Sequence, residues 1–241
     1  MGNLFNQIIY EPIFNALIAL YNVIPGNDFG LTIIVLTIII RLVFLPLSLK
    51  AARAQRMISA LQPKIRAIQE QYKNDKTAQA QATMALYREH KVNPAGGCLP
   101  LLIQLPILIA LYRALVNGFK PESLTLLYGF VANPGVVNNI AFGFFDLSQP
   151  SHWLAIFTGI VQFIQSKVAL SKQVKAPPGT KTGVFDPELM GKQMLYFFPV
   201  MIVVIGWNLP AGLVLYWAIT TVFSILEQLY VNHQTKVVIW K

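Results

Sequence analysis

The sequence predicts an all-α integral membrane protein: five transmembrane helices around a cytoplasm-open hydrophilic groove, a cytoplasmic helical hairpin and an N-terminal interfacial helix. Three observations predict it. Of 241 residues, 55% are hydrophobic and only 12% charged, with a mean hydropathy of +0.53, whereas soluble domains carry about 25% charge. Five apolar stretches approach the roughly 20 residues that a spanning helix needs. Nineteen Lys and Arg against ten Asp and Glu give a net charge of +9, and the basic residues cluster between alternate stretches. The single cysteine, Cys98, excludes an intramolecular disulfide framework.

Residues 1–28 hold an apolar segment, Leu4–Ile24, which Glu11-Pro12 interrupts, leaving about a dozen residues after the break, short of a span. No Lys or Arg precedes it, so it lacks the basic region of a secretory signal. An amphipathic helix in the extracytoplasmic interface is expected there. The first span is 29–49, broken only by Arg41 and Pro46; the second is 97–117, with Pro100 and Pro106. Loop 118–152 contains the apolar run Leu124–Phe145, but Asn133-Pro134-Gly135 and Asn138-Asn139 argue for short surface helices instead of a span. The third span is 153–171 and the loop 172–193 follows. The fourth span, 194–208, carries Pro199 and has about fifteen residues, short enough to thin a bilayer. A Leu209-Pro210-Ala211-Gly212 turn leads into the fifth span, within 209–231, and a tail of 232–241. Prolines inside spans are tolerated where neighbouring helices satisfy the freed carbonyls.

Between the first two spans, residues 50–96 are polar. Met57, Leu61, Ile65, Ile68 and Tyr72 recur at helical spacing, Asn74-Asp75 offers a turn, and Ala80, Met84 and Tyr87 continue the pattern. A helical hairpin is predicted, with Pro63 kinking or starting its longer arm. Such a basic, Gln-rich hairpin suits docking on anionic lipid or meeting an arriving partner. Nine basic residues lie in 50–96 (Lys50, Arg53, Arg56, Lys64, Arg66, Lys73, Lys76, Arg88, Lys91) against Glu70, Asp75 and Glu89. The stretch 167–192, from the end of the third span onward, adds Lys167, Lys172, Lys175, Lys181 and Lys192, and Lys236 and Lys241 end the chain. The segment before the first span has no basic residue and 118–152 has only Lys120. Five spans put all the basic segments on one side, which the positive-inside rule makes cytoplasmic. The N-terminus is then extracytoplasmic and the C-terminus cytoplasmic.

Arg41 is the most informative residue. It is the thirteenth of the 21 residues in the first span, where an arginine costs roughly 2.5–3.5 kcal/mol even on the lenient insertion scale. Losing its proton is no escape. Only one carboxylate, Glu227, lies within the spans, nearer the cytoplasm and imperfectly matched in depth. Other polar residues fall into stripes. Thr37 is one turn before Arg41; Thr158, Gln162 and Gln165 share a face of the third span; Trp217, Thr220, Thr221, Ser224 and Gln228 follow the fifth; Gln104 marks the second. Such residues often only bond neighbouring helices. Together with an under-compensated arginine they suggest a wet, positively charged groove.

Enzyme and ion-coupled chemistry lack their parts. His90, His152 and His233 are scattered, no HExxH, GxSxG, Walker or GxGxxG pattern occurs, and the spans hold no acidic pair. No cofactor, metal or nucleic-acid partner is expected. Arg113, near the outer end of the second span, reads as a snorkelling anchor.

The run LQPKIRAIQEQYKNDK…MALYREHKVNPAGGCLPLLIQLPILIALYRAL (61–115) resembles the YidC family of membrane protein insertases. The likeness continues in FGLTIIVLTIIIRLVFLPL (29–47), FDLS (145–148), FIQSK (163–167) and FFPVMI…WNLPAGLVLYW (197–217). The resemblance implies five core spans around a cytoplasm-open groove and a non-enzymatic insertase and chaperone for single- or few-span proteins. A groove arginine, matched by Arg41, would attract acidic residues in a client's extracytoplasmic tail. Thr37, Gln165 and Trp217 match groove-lining or client-contacting positions, and Tyr216 is a further carry-over. Partners implied are nascent clients and lipid, with the general translocon and the ribosome as candidates. Departures are a missing large extracytoplasmic domain and additional N-terminal span, no lipoprotein-type Cys, and a short tail, which puts ribosome docking in doubt. Glu227 stands where a neutral amide is expected, partly offsetting the groove charge. The competing readings are a small anion channel or carrier with Arg41 as its site, and a structural protein in which Arg41 only pairs with Glu227.

Overall fold

The computed structural model describes residues 2–93, 99–117, 123–170 and 187–234. Gly97 and Cys98 of the expected second span, Lys120, and the lysines at 172, 175, 181, 236 and 241 lie outside the described residues. The described chain is almost entirely helical: α1 (Gly2–Phe5), α2 (Glu11–Val23), α3 (Phe29–Gln71), α4 (Lys76–Glu89), α5 (Leu99–Asn117), α6 (His152–Leu170), α7 (Pro187–Gly206) and α8 (Ala211–Gln234), with one short hairpin, β1 (Ile140–Ala141) and β2 (Phe145–Asp146). Two helices, α3 and α8, are long and apolar enough to cross a membrane, and Leu102–Asn117 and Leu195–Gly206 are shorter apolar helical segments.

Several boundaries differ from the sequence expectation. Glu11-Pro12 does not break the N-terminal segment. A π-helical turn, Asn6–Tyr10, joins α1 to α2, and the Glu11 N–H bonds five residues back to the Asn6 carbonyl. Widening the helix just before Pro12 accommodates the missing N–H, so the helix runs on. Tyr10, Phe14, Leu17, Ile18 and Tyr21 are buried, so this helix packs its apolar face against protein. The first span and the hairpin's long arm are one helix: α3 has 43 residues with Pro46 and Pro63 inside it, about 65 Å at 1.5 Å per residue. Pro63 therefore does not start a helix. Run 124–145 forms a 3₁₀ turn, Ser123–Leu126, and the β hairpin, in place of short surface helices. Helix α7 has 20 residues, so the polar residues before Met194 are helical too, and thinning by a fifteen-residue helix loses its basis. Ala211 and Gly212, expected in a turn, open α8.

Asp28 caps α3 by accepting from the Leu31 N–H at 2.9 Å, and Asp75 caps α4 by accepting from Thr77 and Ala78 at 3.0 and 2.9 Å. Past the turn at Asp75, α4 folds back on α3 around a small core of Leu61, Ile65, Leu86 and Val92. The main core gathers α2, α3, α5 and α8 through Phe14, Leu17, Ile33, Leu36, Leu111, Leu115 and Tyr216. Helix α6 packs between α7 and α8, and α8 also packs on α3. Small residues set these approaches. A Cβ on Gly159 of α6 would come within 2.4 Å of Val203 on α7 and 3.2 Å of the Pro199 carbonyl, and one on Gly212 would meet Leu115 and Ile33 at 3.0–3.1 Å.

Asn15 stitches the N-terminal helix to the loop after α5. Its amide donates to the Glu11 and Leu126 carbonyls at 2.9 and 3.0 Å, and its Oδ1 accepts from the Tyr128 N–H at 2.6 Å. Asn22 donates to the Ala132 carbonyl at 2.7 Å, and the Tyr21 hydroxyl accepts from the Asn138 N–H at 2.9 Å.

Replacing Gly159 with Leu drives a side chain into Val203 and the Pro199 backbone. Overpacking of this kind costs about 1–3 kcal/mol, so Gly159→Leu is expected to lower the thermal midpoint of the purified protein in detergent. An unchanged midpoint would contradict the close α6–α7 contact.

Candidate functional site

Large apolar side chains face outward in stripes. Leu102, Leu105, Ile109, Tyr112 and Val116 are exposed along α5; Ile156, Ile160 and Ile164 along α6; Tyr196, Val200 and Val204 along α7; Val222, Leu226 and Leu229 along α8. Each set follows the helical i, i+3/i+4 rule. Contiguous exposed apolar surface of this extent has no place in water. The polar residues turn the other way.

Helices α3 and α8 begin at the same end, because the segment 142–149 contacts both starts: the Phe142 N–H donates to Asp28, and Ala211 and Gly212 donate to the Gln149 and Leu147 carbonyls. Arg41 is twelve residues beyond Phe29 and Glu227 sixteen beyond Ala211, a depth difference of about 6 Å at 1.5 Å per residue. The sequence reading counted this mismatch against a direct pair, yet the Arg41 Nη1 lies 3.9 Å from the Glu227 Oε2. Side chains lean toward their helix N-terminus, which brings the Glu227 carboxylate toward Arg41, and the length of the arginine spans the rest. The pair is loose, since charge-assisted hydrogen bonds are about 2.7–2.9 Å. The other carboxylate oxygen, Oε1, accepts a hydrogen bond from Ser48, seven residues beyond Arg41 on α3. Arg41 keeps 15% of its side-chain surface exposed and Glu227 8%. Among the described residues, Glu227 is the one carboxylate within ion-pair distance of Arg41.

Tyr216 is buried on α8 within electrostatic range of Arg41, and its hydroxyl accepts a 2.7 Å hydrogen bond from Gln104 of α5. This joins α3, α5 and α8. On the other flank, Gln162 donates to Gln165 at 2.9 Å along α6. The Thr221 hydroxyl donates to the Trp217 carbonyl at 2.9 Å, with the Gln162 Oε1 3.4 Å away as a second, weaker acceptor for the same hydrogen. Trp217, Gln162, Gln165 and Gln104 are half-buried. Thr37 is 1% exposed and its hydroxyl donates to the Ile33 carbonyl at 2.6 Å. It supports the seam from within α3 and offers no free hydroxyl. Ser224 likewise bonds back to the Thr220 carbonyl at 3.0 Å, and Thr220 is buried. Nothing in the spacing singled out Ser48, although its i+7 relation to Arg41 was there to be read.

Arg113 does not snorkel freely as the sequence suggested. Its Nη1 donates to Asn6 at 2.7 Å, and its guanidinium lies 4.8 Å from the Tyr10 ring centroid and 5.9 Å from that of Phe5. It docks the N-terminal helix on α5 through cation–π and hydrogen-bond contacts. Burial pushes the Tyr10 hydroxyl above its ordinary pKa, with Arg113 pulling the other way.

Apolar stripes facing out and a charged, hydrogen-bonded seam facing in define an all-helical membrane protein. A family model described as 60Kd inner membrane protein matches residues 17–237. The chain is 37% identical over 205 residues to the membrane protein insertase YidC of Fusobacterium nucleatum subsp. nucleatum, covering 85% of this chain and 86% of that one. It is 34% identical over 215 residues to membrane protein insertase YidC 2 of Listeria innocua serovar 6a, covering 88% and 66%. It is 32% identical over 225 residues to YidC of Geobacter metallireducens, covering 93% of this chain but 37% of that one. A crystal structure of an active YidC insertase with its first transmembrane domain resolved aligns at a TM-score of 0.57 and 27% identity, over 90% of this chain and 45% of that chain. The chain belongs to the 60Kd inner membrane protein family, that of the YidC membrane protein insertases.

Removing the Tyr216 hydroxyl leaves the Gln104 amide short of an acceptor. Tyr216→Phe is expected to cost about 0.5–1.5 kcal/mol, and Tyr216→Phe with Gln104→Leu less than the sum of the two single changes. Thermal unfolding of the four proteins in one detergent measures the coupling.

Proposed function

We propose that this chain inserts single- and few-span membrane proteins through a positively charged groove centred on Arg41 and opening toward the cytoplasm. The single observation that carries the reading is the loosely paired, half-buried Arg41 in the apolar first half of α3. Its one charged partner among the described residues stands 3.9 Å away and is shared with Ser48. A cation held this way is stabilised enough to fold yet remains available to another carboxylate.

In this reading the spans are five, formed by the apolar part of α3 and by α5, α6, α7 and α8. Helix α3, at about 65 Å, is roughly twice the hydrocarbon thickness, and its second half with α4 stands in the cytoplasm carrying most of the basic residues. The N-terminal helix lies outside, and the positive-inside rule supports that orientation. The mechanism uses no covalent chemistry. Polar residues of a client tail enter a hydrated groove between α3, α5, α6 and α8, so the hydrocarbon they cross is shortened. Arg41 supplies a transient counter-charge to an acidic tail. Tyr216, Gln104, Gln162, Gln165 and Trp217 offer hydrogen bonds and an amphipathic face, while Thr37 and Ser224 bond back to the backbone of that wall and Thr220 is buried behind it. Partition of the client's apolar span into lipid drives the reaction, at roughly 25 cal/mol per Å² of apolar surface buried. The general translocon and the ribosome remain candidate partners.

Arg41→Ala is expected to reduce insertion of a single-span client with an acidic extracytoplasmic tail into reconstituted vesicles several-fold, read by protease protection, whereas Arg41→Lys retains most activity. Equal insertion by wild type and Arg41→Ala sinks the charge role. Crosslinkers placed at Gln165 and Trp217 are expected to capture the same client.

Glu227→Gln keeps an acceptor for Ser48 and removes the internal counter-charge. Crosslinking of an acidic tail beside Arg41 should rise about threefold, the equivalent of roughly 0.6 kcal/mol for a loose pair. A fall in capture would mean that Glu227 serves to position Arg41.

A further inference from the structure

The loop between α5 and α6 is clamped at the level where the helices begin. The Phe142 N–H donates to Asp28, the cap of α3. Ala211 and Gly212, the first residues of α8, donate to the Gln149 and Leu147 carbonyls at 2.9 and 3.0 Å. Ala141 lies directly against Gly30 in the first turn of α3, where a Cβ would stand 2.5 Å from the alanine methyl. The loop therefore sits beside the ends of the apolar helices and does not stand clear of them.

Its surface is unusually apolar for a water-facing loop. Part of its backbone is tied inward, with the Leu126 carbonyl and Tyr128 N–H meeting Asn15 and the Asn138 N–H meeting Tyr21. Asp146 accepts locally from the Ser148 N–H and hydroxyl at 2.8 and 2.6 Å. The exposed polar side chains, Thr125, Asn133, Asn138 and Gln149, are all neutral. Large apolar groups point outward, with Phe130 84%, Val136 86%, Phe144 81% and Trp153 83% exposed. Asp146 is the one charged residue between 123 and 151. Phe142 adopts φ +53° beside Gly143 at +80°, a left-handed backbone that a bulky side chain rarely takes. The hairpin tip accepts that strain with aromatic residues at and beside it.

We propose that this loop is a wedge seated in the headgroup-to-acyl boundary of the leaflet at this end of the bundle, with Phe130, Val136, Phe144 and Trp153 in contact with lipid. The proposal rests on the reading of the apolar helices as spans. Lipid is the occupant because the surface is continuous with the stripe that Trp153 opens on α6, through Ile156, Ile160 and Ile164. Aromatic side chains at the ends of spans also match the chemistry of the interface. The exposed polar side chains are neutral, so no exposed charge opposes seating in the headgroup region, where such groups find hydrogen-bond partners. The wedge fixes the depth of the helix ends, and through Asp28 the depth of Arg41.

The test is nitroxide labelling of Phe130→Cys, Val136→Cys and Phe144→Cys, each in a Cys98→Ser background, in vesicles of phosphatidylcholine and phosphatidylglycerol. Lys73→Cys at the α3–α4 turn and Val43→Cys on the apolar face of α3 serve as references. Power saturation with oxygen and with a water-soluble nickel chelate reads the depth of each label. The three loop sites are expected to show an oxygen-to-nickel accessibility ratio several-fold above Lys73→Cys and below Val43→Cys. A ratio equal to that of Lys73→Cys, with Val43→Cys lipid-like, overturns the wedge and leaves the spans standing. Loop sites shielded from both reagents overturn it in favour of a protein partner. A water-like Val43→Cys overturns the spanning reading and the wedge with it.

Discussion

A guanidinium two-thirds of the way along an apolar stretch is the constraint to which the rest of the helix arrangement answers. It stays protonated in any protein environment, so its cost has to be met by geometry. Helix α8 meets part of it, bringing Glu227 within 3.9 Å. A sealed, bidentate pair would have met all of it, but the carboxylate is divided between Arg41 and Ser48. Breaking a tight buried pair costs roughly 3–5 kcal/mol, which would deter any exchange of partners. The longer contact leaves a far smaller barrier to substitution of one carboxylate by another. Incomplete compensation is thus what sets this pair apart from a sealed structural one.

Holding apolar helices around such a seam is a packing problem that the hydrophobic effect does not solve in a membrane, since lipid is as apolar as the side chains. The structure solves it with close approaches at small residues. Gly159 admits Val203, Gly206 sits on Ala155, and Gly212 lies under Leu115 and Ile33. Two of these three contacts involve α6, which joins α7 to α8. Polar bonds then fix rotation about each helix axis. Gln104 on Tyr216 orients α5 against α8, and Thr221 on Gln162 orients α8 against α6. The residues that line the seam are also those that register its walls.

Composition and hydropathy made the helical membrane class legible, and the runs 61–115 and 197–217 made the family legible. Each depends on patterns that a single helix or motif carries. What escaped depends on contacts between distant segments. Glu11-Pro12 read as a break because a π turn that absorbs a proline leaves no mark on periodicity. The loop after α5 read as short surface helices because Asn133-Pro134-Gly135 and Asn138-Asn139 argue against a span without saying what replaces it, whereas Asn15, Tyr21 and Asn22 supply polar partners from more than a hundred residues away. Thr37 and Ser224 read as groove-facing from their spacing, but a hydroxyl that bonds its own helix four residues back looks the same in sequence as one that faces water. Arg113 read as a snorkelling anchor because its aromatic and amide partners lie on another helix.

The seam is also anchored unequally along its walls. Beyond the apolar part of α3, Arg56 donates to the Val231 carbonyl at 2.8 Å and Arg53 to Gln234 at 3.1 Å. These cations satisfy the last turns of α8, where unpaired carbonyls and the helix dipole favour positive charge. At the other end, Asp28 and the 142–149 segment tie the starts of α3 and α8 together. The two helices that carry Arg41 and Glu227 are therefore fixed to each other at both ends, and the 3.9 Å separation cannot relax by sliding one past the other. Helix α5 packs on this unit through the buried core, where Leu111 and Leu115 lie and Leu115 meets Gly212, and among the described residues one side-chain hydrogen bond, Gln104 to Tyr216, adds to that packing. One neutral hydrogen bond contributes only about 0.5–1.5 kcal/mol net, so α5 is held chiefly by apolar packing, whereas α3 and α8 are also tied to each other by hydrogen bonds at both ends.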